Sequence, residues 1–247
     1  MPHILIEACC GCAQDALEAA RGGADRVELN TALFLGGLTP SIGSLRALRE
    51  LSGIPVMAML RPREGGFCYS DADWRTLLAD GEALLHAGAD GLVFGCLTPE
   101  GTIDEPRVRE LVALCSGRPA VFHRAIDVVP DWRRALEVLI RCGVTRVLTS
   151  GQSASALQGA GIIAKMLRFA GGAIEILPGA GITPENVRQL LDITGCTQVH
   201  LSRRREMTDP SVRANPSLRF GSALCPPEDV YRMTDADAFA RLRAMLP

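Results

Sequence analysis

The 247-residue sequence has few aromatic residues, no long apolar run and almost no net charge. Aromatic residues make up 4% of the chain and the formal net charge is −2. The chain therefore lacks both the stacking platforms and the basic field that nucleic-acid binding needs. Its longest apolar stretches have the length of a β-strand, well short of the roughly 20 residues that cross a bilayer. We expect neither a nucleic-acid partner nor a membrane partner.

The sequence also lacks a basic and apolar leader before its first strand-like segment, so we predict no signal peptide. Its nine cysteines are an odd number, and without a secretion signal reduced thiols fit better than a disulfide framework. A structural zinc site normally adds a second cysteine pair or a spaced histidine pair to a C-x-x-C such as Cys9–Cys12, and neither is evident. We therefore predict a cytoplasmic protein with free thiols.

One pattern recurs along the whole chain: a short apolar run, a turn, an amphipathic helical stretch, and then glycine or proline. The starts of the apolar runs lie roughly 22 to 35 residues apart, the length of one βα unit. Eight strands are predicted, at 4–9, 26–30, 56–61, 91–96, 120–124, 146–149, 174–177 and 198–202. Unbroken alternation predicts a parallel sheet.

Eight strands without a linker or a composition shift predict closure into one α/β domain, a TIM (β/α)8 barrel over residues 1–247. An open Rossmann-like sheet is the alternative. After the eighth strand we predict an irregular connection over 203–233, which is rich in proline, and a terminal helix over 234–247.

Charged and polar residues stand at the carboxyl ends of several predicted strands, where a packed barrel interior would have Val, Ile or Leu. These ends converge in a barrel, and a lone buried charge costs several kcal/mol, so the side chains must pair with one another or with a ligand. A closed ion-pair network is the alternative to a ligand site. The candidate acid–base residues are Glu7, Glu28, His123, Asp127 and His200.

A glycine-rich segment, 178–182, follows the seventh predicted strand. Glycine lets backbone N–H groups approach an anion, and Thr183 is predicted to cap the helix that follows. A tight turn that needs glycine is the alternative. Arginine side chains near the other strand ends suit a carboxylate or a phosphate. The candidate anion-binding residues are Arg61, Arg63, Arg124, Thr149, Ser150, Gly179, Gly181 and Ser202.

The cysteines at the end of the first strand are candidate metal ligands. Cys9 and Cys10 are the predicted pair, and Cys12 is a further thiol nearby. Thiolates suit a soft ion such as Cu(I), whereas histidines with glutamates suit a harder divalent ion. The alternative is that Cys10 and Cys12 are incidental thiols.

Several short segments, in the same order over residues 4–202, resemble the signature blocks of the copper homeostasis protein CutC family. They include Glu7-Ala8-Cys9-Cys10, Arg61-Pro62-Arg63, Phe122-His123-Arg124-Ala125-Ile126-Asp127 and Pro178-Gly179-Ala180-Gly181-Ile182. The resemblance implies a TIM barrel, a cytoplasmic homo-oligomer, and Cu(I) binding through cysteines at the ends of strands one and two. Cys9 matches the first of these cysteine positions, and Asn30 occupies the second.

Two functional hypotheses follow, and the sequence does not decide whether the chain is an enzyme. The first is a copper-binding homeostasis protein that uses Cys9 with Cys10 or Cys12 as ligands of Cu(I). The second is a barrel enzyme that acts on a small anionic metabolite, either phosphorylated or carboxylated. In that enzyme His123 or His200 would be the acid–base residue, because the pKa of histidine suits proton transfer at neutral pH.

Overall fold

The computed structural model describes residues 3–215, 217–221 and 228–247, and a ring of eight parallel strands lies at its centre. Each strand from β1 to β7 pairs with the next along the chain, and β1 also pairs with β8. A parallel bridge between Gly179 and His200 joins the end of the seventh strand to the eighth. The strands are β1 (Leu5–Cys10), β2 (Arg26–Leu29), β3 (Val56–Met59), β4 (Gly91–Phe94), β5 (Ala120–Phe122), β6 (Arg146–Thr149), β7 (Glu175–Pro178) and β8 (Gln198–Leu201). The predicted TIM barrel is confirmed, and an open sheet is not found.

Helices alternate with the strands and cover the outside of the ring. They are α1 (Ala13–Arg21), α2 (Ile42–Leu51), α3 (Asp71–His86), α4 (Glu105–Cys115), α5 (Trp132–Cys142), α6 (Ala160–Ala170), α7 (Val187–Thr194) and α8 (Ala236–Met245). Local chemistry sets their ends. At the start of α3, the Ser70 hydroxyl accepts from the Asp73 N–H while the Asp73 carboxylate accepts from the Ser70 N–H. No helix in the described part of the chain is both long enough and apolar enough to cross a membrane.

Apolar packing is concentrated between the strands and the helices. Outward-facing side chains such as Ile6 and Val27 belong to this large core. A second, small apolar cluster is separate from it and consists of Met57, Met59, Val93 and Val121. Since side chains alternate along a strand, this cluster lies inside the ring. The apolar part of the barrel interior is therefore small, and polar residues fill much of the rest.

The lower half of the barrel interior is filled by ion pairs. Arg26 pairs with Glu7 and its Nη2 donates to Oε1 of Gln198 at 3.2 Å. Arg146 Nε donates to Oε2 of Glu175 at 2.6 Å, and Gln198 Nε2 donates to the same oxygen at 3.2 Å. We call these five residues the floor network. It differs from the closed network of strand-end charges that we considered from the sequence, because it lies in the lower half of the barrel and shares only Glu7 with the candidate acid–base residues.

The structure corrects the prediction for residues 203–233. Strands β9 (Arg204–Thr208) and β10 (Val230–Thr234) form an antiparallel ribbon inside this segment. The N–H of Thr234 donates to Oδ1 of Asp15 at 2.7 Å, which ties the ribbon to α1. The pairing joins residues more than twenty positions apart, so local periodicity could not indicate it. Residues 216 and 222–227 of the segment lie outside the described residues, and the helix predicted from 234 begins at Ala236.

Candidate functional site

Three neighbouring strands, β8, β1 and β2, bring a thiol, a carboxylate and an imidazole together. The Cα of Cys9 pairs with that of Glu28, and the Cα of Glu7 pairs with that of His200. One ligand atom each from Cys9, Glu28 and His200 lie within 4.8 Å of one another. We call these three residues the Cys9–Glu28–His200 cluster. Its carboxylate and imidazole belong to residues that are only 2% and 8% exposed, so water contributes little to their solvation.

The hydrogen bonds of the cluster leave two ligand atoms available. His200 Nδ1 lies 2.8 Å from Oε1 of Glu7, which leaves Nε2 for another partner. Glu28 Oε1 accepts from Asn30 Nδ2 at 3.0 Å, and the Cys9 thiol lies 3.9 Å from the same oxygen. Glu28 Oε2 is buried and has no hydrogen-bond partner among the described residues. Buried polar atoms are usually satisfied, so this oxygen is a candidate ligand atom.

Burial and neighbouring charges set the protonation of the cluster. Burial alone would raise the pKa of Glu7, but the hydrogen bond with His200 and the charge of Arg26 lower it to about 2. Burial would lower the pKa of His200, yet Glu28, Cys9 and Glu7 raise it well above its usual value. Burial raises the pKa of both Glu28 and Cys9. His200 is therefore a cation held between acidic groups.

A cavity of about 440 Å³ lies at the cluster, at the carboxyl ends of the strands. The cluster forms part of its wall. Six further lining residues are Arg61, Phe67, His123, Arg124, Gly181 and Ser202. Glu7 does not line the cavity but lies beneath it, where it connects His200 to Arg26 of the floor network.

Arg61 brings a buried positive charge to the cavity wall. Its Nη1 donates to the carbonyl oxygens of Leu35 and Gly37 at 2.9 and 3.1 Å, and its Nη2 donates to that of Gly65 at 2.7 Å. Its Cζ lies 5.4 Å from the centre of the Phe67 ring. Within the described ranges no acidic side chain pairs with Arg61, and its Nε has no hydrogen-bond partner. The charge is therefore balanced only by backbone dipoles and a ring face.

His123 is the second histidine of the cavity, and it is neutral. Burial and the charge of Arg61 lower its pKa to about 3. Its Nδ1 accepts from the N–H of Ala125 at 3.2 Å. A neutral ring that accepts at Nδ1 carries its proton on Nε2. That Nε2 is buried and has no partner among the described residues, and the ring centre lies 4.8 Å from that of Phe67.

Four predicted site residues form contacts outside the cavity lining. Asp127 accepts from Thr149 Oγ1 at 2.6 Å and from Ser150 N at 2.9 Å, and it also pairs with Arg124 at 2.9 Å. Arg63 pairs with Asp73 at 3.0 Å. Strand alternation would put Asp127 on the same face as His123, but the chain leaves β5 and enters a 3-10 turn at Arg124–Val128. These contacts hold loops together rather than supplying groups to the cavity.

The glycine-rich segment after β7 contributes packing as well as lining. A Cβ on Gly179 would lie 2.6 Å from Cδ1 of Leu148 and 3.3 Å from Cδ2 of His200, so the glycine lets both side chains pack against the end of the strand. Gly181, at φ 68°, lines the cavity. The prediction that Thr183 caps the next helix is wrong, because α7 begins at Val187 and the Thr183 N–H donates to Oδ1 of Asn186 at 2.9 Å. That N–H is not free to bind an anion.

The structure does not bring Cys10 or Cys12 to the cavity. Cys10 lies on the opposite face of β1, in the large core, where burial raises the pKa of its thiol. Cys12 is the N-cap of α1, and its Sγ accepts from the N–H of Asp15 at 3.4 Å. Sequence reasoning also missed Phe67 as part of the wall, because an aromatic residue in a loop carries no chemical signal. Arg26 could have been found, since alternation places it on the same face of β2 as Glu28.

Together these features define a (β/α)8-barrel protein with a polar cavity at the carboxyl ends of its strands, where this fold places its sites. The model of the CutC family matches residues 4–205, and the chain belongs to this family. It is 48% identical over 242 residues to a protein from Treponema denticola named family protein CutC, with 98% of each chain covered.

Two further comparisons agree with this assignment. The chain is 41% identical over 241 residues to a Homo sapiens protein named copper homeostasis protein cutC homolog, covering 98% of this chain and 88% of that one. A solved structure of CutC from Streptococcus agalactiae is 34% identical, has a TM-score of 0.76, and covers 80% of this chain and 98% of that one.

Proposed function

We propose that this chain binds a copper ion, as cargo, at the Cys9–Glu28–His200 cluster. The observation that carries the proposal is the approach of three different ligand atoms to within 4.8 Å of one another in a buried cavity. The names of the human and mouse relatives, which refer to copper homeostasis, support copper as the ion. The family is our reason for proposing copper, and the geometry is our reason for proposing these three ligands.

The donor set is compatible with copper. A thiolate selects Cu(I), an imidazole suits copper, and a carboxylate favours a harder divalent ion. Metal-ligating histidines usually hold their second ring nitrogen against a carboxylate or a carbonyl, and Glu7 does this for Nδ1 of His200. Since the pKa values of His200 and Cys9 are both raised, binding of the ion would release the protons from Nε2 and from the thiol. Asn30 Nδ2 lies 3.7 Å from the Cys9 sulfur, so the side chain next to this thiol is an amide and not a second thiol. The proposed site therefore has one thiolate rather than two.

The alternative of a barrel enzyme with histidine acid–base chemistry has less support. The Nδ1 of His123 already accepts a hydrogen bond and its Nε2 carries the proton, so the neutral ring has no free position to accept another. His200 is held as a cation between Glu7 and Glu28. Neither histidine is poised to take a proton from a substrate at neutral pH.

The test is a titration of reduced protein with Cu(I) in competition with a chromophoric chelator. We expect one equivalent of Cu(I) per chain. The variants Cys9→Ser and His200→Gln should each lower the affinity by at least about tenfold, since each removes a ligand. A parallel titration with Zn²⁺ would show whether the carboxylate makes the site prefer a divalent ion.

Cys12→Ser is the matched control for the copper titration. Serine is a good N-cap, so α1 should keep its start, and the copper affinity should not change. Unaltered binding by Cys9→Ser would overturn the proposal. Loss of binding in Cys12→Ser would instead support a pair of thiolates outside the cluster and would equally contradict the proposed ligand set.

A further inference from the structure

Two buried N–H donors on the cavity wall have no acceptor. Arg61 and His123 are 7% and 4% exposed, and Nε of the first and Nε2 of the second have no partner in the described ranges. Both side chains contact the Phe67 ring, at 5.4 Å for Arg61 Cζ and at 4.8 Å between ring centres for His123. Both residues line the same cavity, and we call them the Arg61–His123 patch, which the copper proposal does not use.

We propose that this patch binds a small oxyanion, a carboxylate or a phosphate, beside the copper cluster in the same cavity. The anion would accept one hydrogen bond from Arg61 Nε and one from His123 Nε2. The inference goes beyond the proposed copper site and relies on it only in that the two ligands share a cavity.

The charge of Arg61 identifies the ligand as an anion. A buried charge is normally paired, because taking it out of water costs several kcal/mol. The guanidinium here donates to three carbonyl oxygens, which carry partial charge only. The three contacts also fix its orientation and use both N–H groups of Nη1 and one of Nη2, so that the N–H of Nε and the second N–H of Nη2 have no acceptor among the described residues. An oxyanion would satisfy both the charge and these donors.

The tautomer of His123 agrees with the same ligand. Because the Ala125 N–H occupies Nδ1, the ring can only donate at Nε2. A ligand at this position must offer a hydrogen-bond acceptor. The neutral state of the ring lets it lie near Arg61 without repulsion between two positive charges. Oxygen atoms of a carboxylate or a phosphate meet this requirement, whereas an ammonium group does not.

The size of the cavity leaves room for such a ligand. At about 440 Å³ the cavity falls in the range of small-molecule pockets and is far larger than one metal ion. Met59, Leu148 and Phe67 give the wall an apolar part, which suits the carbon skeleton of a small organic anion. The cavity therefore offers a place for an ion, for an anionic group and for a short apolar body.

The experiment is isothermal titration of metal-free, reduced protein with malonate in one arm and inorganic phosphate in the other. We expect at least one of them to bind in the wild-type protein, and the tighter arm identifies the source of the oxyanion. His123→Leu removes the donor and should weaken binding by at least about tenfold. His123→Gln places an amide N–H near the position of Nε2 and should restore most of the affinity.

Two arginine variants complete the test. Arg61→Met should abolish anion binding, whereas Arg63→Met, whose parent residue does not line the cavity, should not change it. Arg61 also holds two loops, so cooperative urea unfolding is recorded for every variant, and the His123 pair decides the outcome if Arg61→Met does not fold. Absence of binding in both arms, or equal binding by His123→Leu, would overturn the inference. Since no copper is present, failure here would leave the copper proposal unaffected, and the reverse is also true.

Discussion

The two histidines of the cavity are both placed by strands of the barrel, but one ring is charged and the other is neutral. His200 lies in β8 and His123 directly follows β5, and both are almost fully buried. Burial alone would lower the pKa of each. Beside His200 the acidic groups reverse that effect and keep the ring charged. Beside His123 the charge of Arg61 adds to it and keeps the ring neutral.

This difference divides the cavity into two sides. On the side of β8, β1 and β2, which we call the charged side, acidic groups surround the His200 imidazole, and the arrangement suits a cation. On the side of Arg61 and His123, N–H donors are left without acceptors, and the arrangement suits an anion. The residue type alone does not tell which role a histidine has, because the neighbouring charges decide it.

The largest expected effect comes from removing the carboxylate that holds the charged side. Glu7→Leu would leave Arg26 and His200 buried without their shared partner. We expect the free energy of unfolding to fall by about 3–5 kcal/mol, as when one partner of a buried ion pair is lost. Urea unfolding measures this change.

Glu105→Gln is the control for Glu7→Leu, because Glu105 makes ion pairs with Arg109 and Arg141 at the surface. Its free energy of unfolding should change by no more than about 1 kcal/mol. Equal losses of unfolding free energy in the two variants would show that Glu7 does not stabilise a buried charge network. The distinction between the two sides of the cavity would then lose its basis.

The side of the cavity that contains Arg61 and His123 can be disturbed by a substitution at Gly95. A Cβ on Gly95 would lie 2.2 Å from Cε1 of His123, so Gly95→Ala must displace the ring. We expect a loss of about 1–3 kcal/mol in the free energy of unfolding, as for other overpacked cores, together with weaker binding of malonate or phosphate. Copper affinity should not change, since the three atoms nearest to the Cβ belong to His123 and Ala125, which are not part of the Cys9–Glu28–His200 cluster.

Gly66→Ala is the control for Gly95→Ala, because a Cβ on Gly66 would meet nothing within 4 Å. Its stability should stay within about 0.5 kcal/mol of wild type. A harmless Gly95→Ala would mean that the His123 ring is free to move, and the fixed orientation of Nε2 would lose its basis.

The pH dependence of stability should report the neutral state of His123. Its pKa is about 3 in the folded protein and near 6.5 in the unfolded chain. Below pH 6.5 the unfolded chain therefore takes up a proton that the native protein does not. The stabilisation is fully present above pH 6.5 and is lost as the pH falls, by about 2 kcal/mol between pH 7 and pH 5.

The measurement compares urea unfolding of wild type and His123→Gln across that interval. The raised pKa of Glu28 works in the opposite direction, but it is common to both proteins and cancels in the difference. We expect the variant to become relatively more stable toward pH 5. Parallel curves for the two proteins would show that His123 is protonated in the native state.

The barrel could be predicted from the sequence because its signal is repeated eight times. Each βα unit has a strand-length apolar run followed by a helical stretch, and the units recur at similar intervals. An error in the position of one strand end therefore does not change the predicted fold. The ribbon of β9 and β10 has no such repetition. Its strands are exposed and joined by a long segment, so only the pairing in space reveals them.

The positions of the candidate site residues could be predicted within strands and less well beyond them. Alternation along β1, β2 and β8 is regular, which is why Cys9, Glu28 and His200 could be named as site residues. Asp127 and Arg63 lie past strand ends, where a 3-10 turn and a loop cancel the alternation. Their partners, Thr149 and Asp73, come from other segments and cannot be read locally.

A substitution at Asn30 should change which metal ion the charged side prefers. Asn30 is buried beside the cluster, with Nδ2 at 3.7 Å from the Cys9 sulfur and 3.0 Å from Glu28 Oε1. Asn30→Cys would place a second thiol there, and two thiolates suit Cu(I) better than one. We expect the Cu(I) affinity to rise by at least about tenfold, or about 1.4 kcal/mol, in the chelator competition. Asn30→Ser, which is similarly small but has no sulfur, should not produce this gain. If both variants bind Cu(I) as wild type does, the amide position is not within reach of the ion, and the cluster holds copper without help from β2 beyond Glu28.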